Sequence, residues 1–294
     1  MASIAARLRW QNLKQGILGK LFGNQKFVIG FTIIAVIFIG GFIARNVLPF
    51  EYRRTGAFPS RRPPSLEHIM GTDSLGRRID VQLADSIVNS LQIGLIAATI
   101  GTVVGALLGF TSGYYGGRLD AVLRVLIDVF LSVPSLLFLI LIAALVRGVS
   151  VQVMALVIGA FAWAWPARQI RAQVLSLKER GFVDMAILSG MSRFEIVMRE
   201  LMPHMFQWMG ANFVNATLAA ILAESGLSIL GLGPQREMTL GMMIYWALQF
   251  NALFNQFWWW WSAPVLTLTL IFLSLYLMHL GFDEVINPRI RSKA

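Results

Sequence analysis

No cysteine occurs anywhere in the sequence, so neither disulfides nor thiolate metal sites are available to it. Charge is almost as scarce. Asp, Glu, Lys and Arg make up 14% of the 294 residues, against about 25% in an ordinary soluble domain. The three histidines, His68, His204 and His279, are too far apart for any metal-ligand spacing. A phosphate-binding loop is missing too: Gly16-Ile17-Leu18-Gly19-Lys20 has the wrong spacing and no following Ser or Thr. Without a nucleophile elbow either, the sequence offers no catalytic constellation, no metal site and no bound cofactor.

What is abundant is apolar sequence, at 56% of residues. Six segments are long enough to cross a hydrocarbon core of about 30 Å. They begin near Phe27, Ser90, Ala121, Val151, Gln207 and Trp259, and end near Val47, Thr111, Val146, Arg168, Leu230 and Leu280. The expected fold is therefore all-α and polytopic, with six transmembrane helices within residues 27–288, a cytoplasmic segment 1–26 and a cytoplasmic tail 289–294.

The formal net charge of +10 is scattered between these segments, a distribution that speaks for topology and against nucleic-acid binding. With the N-terminus inside, 16 of the 25 Lys and Arg fall on cytoplasmic segments: five near the N-terminus, two around Arg118, six between spans four and five, and three at the C-terminus. Most of the remainder lies in one long outer loop, which weighs less in the positive-inside rule. Both termini are thus expected in the cytoplasm. In the first segment Trp10, Leu13, Ile17 and Leu21 recur at helical spacing among basic residues. This pattern does not resemble a cleavable leader; it fits an interfacial helix on an anionic leaflet, or a simple basic tail.

Within the spans, Gly101, Gly105 and Gly109 stack on one helix face and predict a close helix–helix seam. Pro134 and Pro166 predict kinks. Asp128 and Glu224 lie in or at the edge of apolar spans, where an ionised carboxylate costs roughly 2.5 to 3.5 kcal/mol on insertion scales. Each must face a polar partner or a cavity, which leaves structural pairing and substrate contact both open. Asn212 and Asn215, three apart, either line a pathway or bond neighbouring helices.

Residues 180–203 are too polar to span and too well patterned to be an idle loop. Phe182, Val183, Ala186 and Ile187 form an apolar side, and Gly190 offers a left-handed helix end. Ser192 and Glu195 have capping-box spacing. Phe194, Val197, Met198 and Leu201 then recur at i, i+3, i+4 and i+7, and Pro203 is expected to stop this second helix. Such a helix pair either rests on the lipid surface or docks into the groove of a partner protein.

Asp184-Met185-Ala186, Gly190, Glu200 and Met202-Pro203 resemble, in their spacing, the coupling-helix signature of bacterial ABC importer permeases. Gly71-Thr72-Asp73-Ser74-Leu75-Gly76-Arg77 before span two is similar to a hallmark of the dipeptide, oligopeptide and nickel permease family. Asp128 to Ser135, and Glu224-Ser-Gly-Leu-Ser-Ile-Leu-Gly-Leu-Gly233, resemble the same family. The similarity runs from about Phe27 to Arg291. Departures occur at Arg78, where the family usually has an acid, at Thr239-Leu240-Gly241, and at Gly281 to Glu284.

The resemblance implies an importer permease subunit in a bacterial or archaeal plasma (inner) membrane, forming half of a translocation pathway. It implies four kinds of partner: a second, related permease in a heterodimer, two cytosolic ATPases that bind ATP and Mg, an extracytoplasmic solute-binding protein, and the lipid bilayer. Asp184, Ala186, Gly190, Ser192, Phe194, Glu195 and Pro203 would belong to the ATPase-coupling segment, and Gly71, Thr72, Asp73, Gly76 and Arg77 to the outer-loop motif. The cargo would be oligopeptides or, as an alternative, oligosaccharides. An ion-gradient-driven secondary transporter is the reading from another class; broken midplane helices and an inverted repeat would favour it, and the sequence shows neither clearly.

Overall fold

A computed structural model describes residues 16–145 and 148–286. Most of the expected N-terminal segment and the whole of the tail 289–294 lie outside the described residues, as do Val146 and Arg147. The described residues fold as helices and loops, with one isolated antiparallel bridge pairing Thr72 with Arg78.

A short helix, α1 (Ile17–Phe22), leads into α2 (Gln25–Val47), whose first turn is capped by the Asn24 side chain. The outer loop follows, and then α3 (Ile79–Tyr115), α4 (Gly117–Ser132), α5 (Ser135–Leu145), α6 (Val151–Phe161) and α7 (Ala164–Leu177). Next come α8 (Gly181–Leu188), the short α9 (Arg193–Glu195), a π-helical turn Ile196–Leu201 and α10 (Met202–Ile229). The chain ends its described part with α11 (Leu240–Gln249) and α12 (Trp258–Ile286).

Four helices are long and apolar enough to cross a membrane: Gln25–Val47, Ile79–Tyr115, Val151–Leu177 and Trp258–Ile286. The expected third span does not run straight. It breaks into α4 and α5 with a bend of 77°, and counting that pair as one crossing brings the total to five. Pro134 explains the break, because its ring lacks an N–H and clashes with the preceding turn. Val133, just before it, takes the extended conformation such a position favours. The expected fifth span, α10, is long enough at 28 residues but carries Asn212, Asn215, Glu224, Ser225 and Ser228. Among the described residues, length and composition alone therefore identify four crossings, or five with the bent pair, and leave the sixth, α10, unconfirmed.

Two further boundaries differ from expectation. Helix α3 begins at Ile79, well before Ser90, because Gln82, Ser86 and Asn89 are buried by the outer loop and α11 rather than exposed. Pro203 does not stop a helix either. It sits in the first turn of α10, just after the wide π turn, and wider turns of this kind relieve the clash a proline makes with the carbonyl before it.

The bundle is built around α3. Its glycines form the seam their spacing predicts, and the partner lies within the same chain. A Cβ at Gly101, Gly105 or Gly109 would come within 2.9, 2.8 and 2.8 Å of the carbonyl oxygens of Ala162, Trp163 and Ala167. The backbones of α3 and α6–α7 touch there. Of the four consecutive tryptophans, Trp258 faces outward, Trp260 is fully buried beside Ile79 and Met243, and the Trp259 indole donates to the Thr72 carbonyl at 3.2 Å.

Candidate functional site: a groove, a coupling face and two buried carboxylates

The bend between α4 and α5, the break between α6 and α7, and one face of α10 together enclose a groove of about 520 Å³. Pro134 and Pro166 stand at the two breaks. Aromatic side chains of Phe130, Phe161 and Trp165 line one part, while Ala216, Ala219 and Ala223 leave room along α10. The polar side chains on this wall are Asn212, Asn215 and Ser135; no charged residue lines it. Asn212 is buried and donates to Thr102 on α3 at 3.5 Å, whereas Asn215 is exposed to the groove. The structure thus brings Asn212 and Asn215 to one wall, the first also tying α10 to α3.

Asp128 and Glu224 are not part of that wall. Asp128, on α4, is bonded to Arg168 on α7, both half exposed on the chain's flank. Glu224 is fully buried on α10. Its Oε1 accepts from Thr239 at 2.6 Å and Ser228 at 2.7 Å, and its Oε2 from Ser90 at 3.3 Å and Ser225 at 3.4 Å. Four hydroxyls from α3, α10 and the start of α11 therefore satisfy this carboxylate without a cation. Ser90, expected only to begin a span, and Thr239, expected only as a departure from the family pattern, both bond this carboxylate. A signal was present, however: Gln82, Ser86 and Ser90 recur every four residues and set a polar strip along the first part of α3.

The outer-loop motif is a structural knot. Asp73, fully buried, accepts from the backbone N–H of Leu75 and Arg77 at 2.8 and 2.9 Å through Oδ1. Its Oδ2 accepts from the Arg77 guanidinium at 2.8 Å and from Gln82 at 3.0 Å, which fastens the loop to α3. The Thr72 hydroxyl donates to the Pro59 carbonyl at 2.7 Å and accepts from the Arg62 N–H at 2.9 Å. Gly71 and Gly76 both have positive φ, and a Cβ at Gly76 would lie 2.3 Å from the Phe58 carbonyl oxygen.

Residues 180–203 form two short helices around a turn. Gly190 has φ +79° and open space where a Cβ would be, so only its backbone conformation demands glycine. The capping box is complete: the Ser192 hydroxyl accepts from the Glu195 N–H at 3.3 Å, and the Glu195 carboxylate accepts from the Ser192 N–H at 3.0 Å. That N–H, and then the Ser192 hydroxyl, hold the Glu195 carboxyl below its ordinary pKa. Asp184 is exposed in the first turn of α8, where a negative charge suits the helix dipole. Pro203 is exposed at the start of α10.

The apolar residues here divide into two sets. Val183, Ala186, Ile196, Val197 and Leu201 are buried against Phe110, Ile170 and Val174 of the bundle. Val197, in one stripe with Phe194 by its spacing, is instead part of the chain's own core, where the π turn sets it apart from Phe194. Met185, Ile187, Leu188, Phe194 and Met198 are left facing outward, with Leu188 82% and Phe194 66% exposed. These residues leave an apolar cluster exposed on the two short helices.

A helical bundle with several membrane-crossing helices and one such rigid, amphipathic projection is a multi-pass membrane protein. The family model described as "Binding-protein-dependent transport system inner membrane component" matches residues 101–292. The oligopeptide transport system permease protein OppC of Haemophilus influenzae is 34% identical over 241 residues, covering 80% of this chain and 75% of that one. The dipeptide transport system permease protein DppC of Bacillus subtilis is 30% identical over 290 residues, covering 96% and 85%. OppC of Mycobacterium tuberculosis is 28% identical over 278 residues, covering 94% of both. Among solved structures, a chain of the MetNI methionine ABC transporter in an inward-facing conformation aligns with a TM-score of 0.48 at 18% identity, over 69% of this chain and 94% of that one. The chain belongs to the family of inner membrane components of binding-protein-dependent transport systems, the permease subunits of ABC transporters.

Proposed function

We propose that this chain forms one half of the translocation pathway of an ATP-driven importer for oligopeptides, delivered by an extracytoplasmic binding protein. The names of its relatives, oligopeptide and dipeptide permeases, support this cargo. The observation that carries the reading is that one chain holds both an open, uncharged groove and an outward-facing apolar helix pair joined to it by α7 and α10. The groove is half of a pathway, completed by a second, related permease. Its amide and aromatic lining suits a cargo with hydrogen-bonding backbone and variable side chains, because no fixed charge selects one side chain over another.

The helix pair receives the driving motion. ATP and Mg bind in two partner ATPases, and closure of those subunits pushes Met185, Leu188, Phe194 and Met198. The push reaches the groove through α7 and α10, which flank it. This requires the face that carries α8, and with it both termini, to be cytoplasmic. The outer-loop motif does no transport chemistry; it holds the opposite face rigid for the binding protein.

The test is an ATPase assay on the reconstituted complex with its binding protein. Hydrolysis should rise when the binding protein carries a peptide, and this chain purified alone should hydrolyse nothing. Hydrolysis by the isolated chain, or a complex indifferent to every peptide-loaded binding protein, would refute the proposal.

A further inference from the structure

Glu224 follows Ala223, an α10 residue that lines the groove, but its carboxylate is bonded on another side, toward α3 and α11. Two of its hydroxyl donors are relays. Ser90 accepts the Leu240 N–H at 3.0 Å and Thr239 accepts the Met242 N–H at 3.2 Å, both from the first turn of α11. A hydroxyl has a single proton to give, and in both cases it goes to Glu224. The carboxylate thereby fixes where α11 starts, and with it the connecting segment 230–239.

That segment reaches across the bundle. The Glu237 carboxylate accepts the Val151 N–H at 2.6 Å, at the start of α6. Leu232 packs on an apolar cluster that contains Leu139, Ile158 and Ala220, three of the groove's own lining residues. The segment therefore bridges α10 to α6 beside the groove, on the side away from α8.

We propose that segment 230–239 is the outer plug of the pathway and that Glu224 is the positioning residue that latches it, acting through Thr239 and Ser90. Neutral hydroxyl donors suit a latch that must open: releasing it separates no ion pair. The proposal rests on the groove being the pathway wall.

The test uses the natural absence of cysteine. Asn215→Cys is introduced into the chain and assembled with its ATPase and permease partners, without nucleotide. An impermeant maleimide is then applied from the outside, and in parallel from the cytoplasmic side. Thr239→Val removes one relay, and Glu224→Gln removes the charge. Each should raise outside labelling roughly tenfold, the shift expected from losing one hydrogen bond to a charged acceptor. Thr239→Ser should restore the parent rate. Ser225→Ala, which loses only a long contact within α10, should not change it. ATPase pull-down confirms that each variant is assembled. Labelling from the cytoplasmic side with no change from the outside in Thr239→Val and Glu224→Gln would overturn the latch alone. Labelling from neither side in any variant would overturn the pathway reading and the latch with it.

Discussion

Asp73 and Glu224 are both fully buried carboxylates, yet their surroundings differ in kind. Asp73 has a guanidinium, two backbone N–H groups and an amide; Glu224 has four hydroxyls and no cation. Charge compensation makes the first a permanent fastening, since removing one partner strands the other in a low-dielectric site. The second is held by rotatable neutral hydroxyls spread over three helices, which can be remade in a second arrangement. One carboxylate builds the outer loop and the other positions a part that moves.

Removing Asp73 should have the largest effect. Asp73→Ala strands Arg77 and two N–H groups, and should cost about 3 to 5 kcal/mol. Thermal unfolding in detergent and proteolysis of the outer loop would show it. A variant as stable as the parent would make the loop motif something other than a fastening. The Glu224 substitutions, in contrast, should leave the fold intact and change accessibility.

A smaller effect is expected at the capping box. Ser192→Ala should lower the local stability of the helix pair by about 1 kcal/mol, read by hydrogen exchange of residues 192–198. Because the folded-state pKa of Glu195 is depressed, its contribution is complete above the unfolded carboxylate value of about 4.3. It is lost as pH falls through the lower folded value. Protection factors in the parent, taken against the intrinsic exchange rate at each pH, should therefore fall on acidification in that range, and Ser192→Ala should flatten the dependence. An unchanged profile would remove the box from the account.

Much of this was legible in the sequence, for physical reasons that differ by element. Long apolar runs mark the crossings because lipid demands them, and the Gly101, Gly105 and Gly109 strip reports a seam because only glycine permits backbone contact there. The Ser192–Glu195 box is local, so its spacing suffices. The 77° bend at Pro134 was half legible: proline announces a kink but not its angle. Val197 was misplaced because a π turn shifts the helical register, which ordinary i, i+3, i+4 counting cannot anticipate. The groove and the Glu224 shell were the least legible, since Ser90 lies 134 residues from its carboxylate and α11 was not foreseen.

In the proposed mechanism, partner ATPases drive this subunit through the face left outward by α8 and the turn after Gly190. Phe194 is the place to test it, being exposed and outside the chain's own core. The decisive measurement is ATPase pull-down together with peptide uptake in the same membranes carrying Phe194→Asp. A charge in the apolar contact should leave the chain inserted and folded, while both ATPase binding and uptake are lost. Full retention of binding and uptake would contradict the account and reduce the helix pair to a surface feature.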